Sequence, residues 1–284
     1  MAVQVRASSV ITTTSSGAFS VDLAKPTGTV DGDKLLVLIQ SSASSVALTP
    51  PAGWDAVDDS GGANQGAYLF AKTAASEGST FSFTGNTGGN SSHVGICVAL
   101  YNTDGGTPSH TLYTETVDGS ADTTADNTGV TPTMAPGALL LALIGSKSVQ
   151  TSYSTYAVAD NNPTWVELQD ANANISGEAS SAAAAYATGR DLITATGAFS
   201  ATIANSSTST VYLFSIQPAS LTVSAPVLTA SGALIAPAVS AAATISAPVL
   251  SASGAVPAPT VTETDPEFVN ATKNNSSFTN APKS

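Results

Sequence analysis

Two apolar runs constrain this chain more than any other feature. "KLLVLIQ" (Lys34–Gln40) and "ALLLALIG" (Ala138–Gly145) are continuous and strand-sized. A strand with one wet face alternates apolar and polar residues, so an unbroken run predicts a central strand covered on both faces. Elsewhere the alternation is plain. "AFSVDLA" sets Phe19, Val21 and Leu23 against Ser20 and Asp22, the period of a half-buried strand. Gly, Asn, Asp and Ser clusters such as "DDSGGANQG" (Asp58–Gly66) punctuate the gaps as turns. Helical periodicity is hard to find, and "SSAAAAYA" (Ser180–Ala187) reads as a strand from its place in a repeat despite its helix propensity.

That repeat organises the first 218 residues. "GDKLLVLIQS" (Gly32–Ser41) aligns with "GALLLALIGS" (Gly137–Ser146) at an offset of 105. "AYLFAKTAASEGSTFSFTG" aligns with "AYATGRDLITATGAFSATI" at an offset of 118, which matches Tyr68 with Tyr186, Lys72 with Arg190 and Phe81 with Phe199. The closing strands continue at that offset, so that Val94, Ile96 and Val98 match Tyr212, Phe214 and Ile216. Trp54 and Trp165 occupy similar places between the matched blocks. The expected fold is all-β: an antiparallel, jelly-roll-like β-sandwich of two pseudo-repeated halves, about 1–103 and 104–218. Two separate small sandwiches would also fit. One sandwich is preferred, because "YNTDGGTPSH" (Tyr101–His110) is a turn rather than a tether.

After residue 218 the character changes. Residues 219–262 carry Ala-Pro at Ala225-Pro226, Ala236-Pro237, Ala247-Pro248 and Ala258-Pro259, eleven residues apart each time. Proline removes a donor and fixes φ, which favours an extended chain over central strands or helices. Such a strap buries too little to offset the ordering entropy of about 1–2 kcal/mol per residue. Residues 263–284 follow with an acidic spacer, and then Phe268-Val269-Asn270-Ala271-Thr272-Lys273 is answered by Phe278-Thr279-Asn280-Ala281-Pro282-Lys283. Strap and tail together read as an extended arm making its contacts in trans. Its expected assembly contacts are Pro226, Pro237, Pro248, Pro259, Phe268, Val269 and Phe278, because an aromatic ring supplies the most burial per residue.

Composition narrows the function. The net charge is −12, and no Lys or Arg lies between Asp191 and Thr272, so no basic patch exists for nucleic acid. One cysteine, Cys97, excludes an internal disulfide framework and a Cys-based zinc site, and reads as a buried hydrophobe. The N-terminus lacks the apolar core of a signal peptide, and no apolar run approaches the ~18 residues needed to span a membrane. A soluble protein made in a cytoplasm is expected. A hydrolase triad needs a histidine between an acid and a nucleophile. His93 and His110 both read as solvated loop residues, and no paired carboxylates stand out. No catalytic, cofactor or metal residues are assigned. Acidic turns at Asp31 and Asp33, and in the loop carrying Asp118, Asp122 and Asp126, are weak calcium candidates without EF-hand spacing. Trp54 and Trp165 read as packing plugs. The alternative is that they stack sugar rings in a carbohydrate-binding module or adhesin facing host-surface glycans.

The body resembles a family of β-sandwich proteins encoded by tailed bacteriophages. The resemblance lies in "KPTGTVDGDKLLVLI" (Lys25–Ile39), "TPPAGWDAV" (Thr49–Val57), "AYLFAKTAASEGSTFSFTG" (Ala67–Gly85) and "VALYNTDGGTP" (Val98–Pro108). The tail is similar to the Phe-Thr-Asn-x-Thr-Lys-Asn repeats that end some phage virion proteins, departing at Pro282. The resemblance implies a non-enzymatic virion or tail-associated protein on the particle exterior. Its expected partners are other virion proteins and further copies of itself. It brings no catalytic residues.

Overall fold

Every residue of Lys34–Ser41 is buried, although the strand is flanked by turns on both sides. The reason is layering. Leu36 and Leu38 point into one apolar cluster, while Leu35, Val37 and Ile39 point into another on the opposite face. Leu139, Leu141 and Leu143 are divided in the same way from Leu140, Ala142 and Ile144. A run apolar at every position is what a strand between two apolar layers demands.

In the computed structural model the described residues are 2–43, 46–58, 66–104, 113–127, 137–147, 150–158, 164–188, 198–219, 221–223 and 243–245. Every regular element among them is a strand. In chain order these are β1 (Gln4–Ser15), β2 (Ala18–Ala24), β3 (Lys34–Ser41), β4 (Asp55–Asp58), β5 (Ala67–Thr73), β6 (Thr80–Asn86), β7 (Ser91–Tyr101) and β8 (Tyr113–Asn127). There follow β9 (Leu139–Lys147), β10 (Tyr153–Val158), β11 (Trp165–Ile175), β12 (Glu178–Thr188), β13 (Phe199–Ile216), β14 (Leu221–Val223) and β15 (Ala243–Ile245). The chain divides into two compact units, Met1–Ala219 and Ser220–Ser284.

In the first unit one sheet runs β1-β7-β3-β5-β4 and a second runs β10-β13-β9-β12-β11, with β8 also paired to β13; all its ladders are antiparallel. The sheets share a core of Leu36, Leu69, Ile96 and Val98 with Leu141, Ala182, Ala184 and Phe214. Among the described residues, three hydrogen bonds show how polar side chains link the two sheets. Gln169 donates to Ser8 Oγ at 2.8 Å, the Ser92 and Ser180 hydroxyls meet at 3.1 Å, and Tyr212 donates to Asp58 Oδ2 at 2.8 Å. The two-stranded β2–β6 sheet covers the outer face of the first sheet through Val21, Leu23, Phe81 and Phe83. On the second sheet, β10, the end of β8 and the start of β13 bring Tyr153, Val158, Ala125, Phe199 and Ala201 onto the outer face.

The alanine-rich stretch is indeed strand, as β12, held by ladders to β11 and β9. Tertiary pairing on both edges overrides the helix preference of alanine. The repeat register differs from the sequence alignment. Ile39 faces Tyr68 across β3–β5, whereas Ile144 faces Ala183 across β9–β12. Tyr68 lies in the outer layer, and Tyr186 packs against the core between the sheets. The two tyrosines are therefore not equivalent, since an odd slip in a strand reverses the face. In the closing strand Leu38 faces Ile96 and Leu143 faces Tyr212, so Ile96 corresponds to Tyr212 rather than Phe214. That slip is even, and the buried face survives it.

Gly66, just before β5, has φ +82°, and a Cβ there would meet the Ser41 carbonyl oxygen at 2.3 Å. Its own carbonyl accepts the Ser41 amide at 2.8 Å, so the glycine lets β5 close directly on the end of β3.

Candidate functional site

The two tryptophans are built alike. Pro51 and Gly53, the latter at φ +82°, turn the chain so that Trp54 enters the outer layer just before β4. Its ring is only 7% exposed and meets Phe81 and Phe83 edge-on, at centroid distances of 5.1 and 5.3 Å. Trp165 opens β11 and meets Phe199 edge-on at 5.3 Å. Each indole nitrogen is buried without a hydrogen-bond acceptor. With Trp54 in the core, its ring offers no face to a sugar. The glycan alternative retains only the half-buried Trp165, which has Tyr156 at 6.2 Å.

Around Trp165 the structure gathers polar groups that the sequence left scattered. Tyr156 donates to Glu167 Oε2 at 3.1 Å, and the Tyr153 amide donates to Asp170 Oδ2 at 2.9 Å. Burial, with the Glu167 charge beside it, pushes the Tyr156 phenol well above its ordinary range, and burial also raises the Asp170 carboxyl. Strict alternation from Trp165 would send Asp170 to the opposite face. A bulge between Glu167 and Gln169 resets the phase, so Asp170 faces Ala183 on the outer side. The only hint in the sequence is the density of polar residues in "VELQDAN".

His93 overturns the expectation of a solvated histidine. It is fully buried in β7, opposite Thr13 of β1 and Ser41 of β3. The imidazole stacks on Phe19 at 3.8 Å and 15°, and Nε2 shares hydrogen bonds with Ser91 Oγ at 2.9 Å and Ser15 Oγ at 3.3 Å. Burial lowers its pKa to about 4, and Nδ1 is buried without a partner. A serine lies within reach of the ring, but no carboxylate orients Nδ1. Cys97, in the same strand, is fully buried beside Val37 and Ala99, and burial pushes its thiol well above the ordinary range.

The carboxylates proposed for calcium have other work. Asp31 Oδ1 accepts the Ser76 amide at 2.6 Å. Asp33 is 2% exposed and takes Arg6 in two hydrogen bonds, of 2.5 and 3.0 Å, while Oδ2 also accepts the Val30 amide at 2.9 Å. Arg6 is the extra residue of a bulge in β1, and its guanidinium lies over the Tyr101 ring at 4.5 Å. Asp33→Asn should cost about 2 kcal/mol in urea unfolding, the range for a hydrogen bond to a charged group. An unchanged midpoint would show the pair to be inert. The acids expected in a loop instead lie along β8, with Asp118 opposite Ser209, Asp122 opposite Ser207 and Asp126 opposite Ser200. No group of three or more His, Cys, Asp or Glu that could hold a metal ion occurs among the described residues.

The expected arm contacts, Pro226, Pro237, Pro248, Pro259, Phe268, Val269 and Phe278, lie outside the described residues, as does His110. Two pieces of the arm are described, β14 and β15, which pair in parallel. Comparison of the chain with protein families, curated proteins and solved structures gave no match.

Proposed function

We propose that this chain is a non-enzymatic structural protein on the exterior of a tailed-phage particle, as a capsid decoration, head fibre or tail component. The β-body is displayed, and the C-terminal arm docks on neighbouring subunits. The observation that carries the reading is the division of the chain at Ala219, which separates a layered body from a unit made of Ala-Pro phrases and Phe-Asn-Lys repeats. The sequence resemblance points the same way. In this reading the body is two jelly-roll-like halves: β1-β7-β3-β5 with β2–β6 in one, and β8-β13-β9-β12 with the outer parts of β8, β13 and β10 in the other. The two halves share one apolar core between their central sheets.

An arm of this composition gains by ordering on a partner, through strand addition or polyproline-like docking. Truncation after Ala219 is expected to leave a body that melts cooperatively but no longer joins particles assembled in its presence. Quantifying the truncated chain on purified particles checks this, and incorporation at the level of the full chain would overturn the arm's role.

A further inference from the structure

The Ala-Pro segment pairs with itself, and the register is informative. In the parallel ladder of β14 and β15, Leu221 lies opposite Ala243, Thr222 opposite Thr244 and Val223 opposite Ile245. Partners are 22 residues apart, twice the eleven-residue spacing of the Ala-Pro pairs. The sequence carries the same longer period. Leu221–Ser231 and Ala243–Ser253 differ only at Leu221/Ala243, Val223/Ile245 and Thr229/Ser251. The phrases between and after them open differently, with Gly232-Ala233 and Gly254-Ala255. The phrases thus alternate in two types, and the structure pairs the first with the third, like with like.

A parallel, in-register ladder of equivalent residues is a pairing that another copy of the same segment reproduces unchanged. It sets each residue beside its own kind, which like charges would oppose. No charged residue occurs in Leu221–Thr262. The two strands are also short, three residues each. Two three-residue strands are marginal by themselves, and parallel strands are normally flanked and covered. Among the described residues β14 and β15 pair with each other. Pro226 and Pro248 follow three residues after the two tripeptides, where the missing donor limits how far such a ladder can extend.

We propose that the Ala-Pro segment is a self-association site whose partner is a second copy of this chain. Leu221–Val223 of one copy pairs in parallel and in the same register with Ala243–Ile245 of the other, making a homo-oligomeric stalk. This deepens the assembly reading by naming the arm's partner, and rests on that reading only for the arm's role. The full chain, of 28.1 kDa, is expected to sediment as a concentration-dependent oligomer. The Thr222→Pro/Thr244→Pro double variant should associate at least tenfold more weakly with unchanged melting of the body. Val223→Ile/Ile245→Val should associate like the parent. A mixture of Thr222→Cys and Thr244→Cys chains should form an intermolecular disulfide on mild oxidation, since partners in this register stand ~4.8 Å apart, within disulfide reach. A full chain that stays monomeric, or an oligomer untouched by the two prolines, overturns the inference. Either result leaves the particle reading standing, since other virion proteins could hold the arm singly. Conversely, normal incorporation of the truncated body would overturn that reading without touching self-association.

Discussion

Trp54→Ala should lower the free energy of unfolding by about 3–5 kcal/mol, the range for deleting a large buried aromatic. The ring is almost wholly enclosed and bridges Phe81 and Phe83, and Phe83 in turn meets Phe70 at 5.0 Å. Removing it would open a cavity between the β2–β6 pair and the first sheet, walled by strands whose ladders resist collapse. Trp165→Ala should cost less, because that ring is half-buried and its cavity would open partly to water. Trp54→Phe should recover most of the loss. It restores an aromatic body and removes an indole N–H that is buried without an acceptor. Urea unfolding of the three variants measures this order. A loss below about 1 kcal/mol for Trp54→Ala, outside the large-to-small range, would place the ring outside the core and return it to the candidates for ligand stacking.

The similar placement of the two tryptophans was legible in the sequence, where each lies shortly after a proline and leads into a strand: Trp54 stands just before β4 and Trp165 opens β11. The central strands were equally legible, since apolar side chains on both faces leave no alternative to burial on both sides. What escaped the sequence is wherever phase is lost. The bulge before Gln169 moves Asp170 to the face of Trp165, and period-two reasoning cannot find an extra residue. Matching Tyr68 to Tyr186 failed for the same reason, because small and hydroxylated residues allow several alignments while only one satisfies the β9–β12 ladder. "VDGSADTTADN" looked like a loop by composition. Pairing with β13 makes it a strand, which local propensity could not anticipate.

His93 was misread because a Gly/Asn/Ser turn precedes it, yet β7 is flanked on both sides from the strand's first residues. Its burial has a consequence that acid should expose. The folded protein holds the imidazole neutral down to about pH 4, while the unfolded chain takes up its proton near the ordinary value of 6.5. Below 6.5 the unfolded state binds more protons, so stability falls with pH until the folded pKa is passed. At 1.36 kcal/mol per pKa unit the loss between pH 6.5 and 4 is about 3 kcal/mol. The groups facing the ring are the Ser15 and Ser91 hydroxyls and the Phe19 face, none of which stabilises an imidazolium as a carboxylate would. Other acids also titrate in this region. Asp22, lowered by its hydrogen bonds to the Ser20 and Ser82 hydroxyls, favours the fold above its unfolded pKa and withdraws that support as pH falls further. Asp170, raised by burial, acts in the opposite sense. Both are common to wild type and a His93→Gln variant, so the difference between their stability curves isolates the histidine. The curves should converge by about 3 kcal/mol as pH falls from 7 to 4. If they stay parallel across that window, the imidazole is accepting its proton in the folded state, and Nδ1 must then have an acceptor.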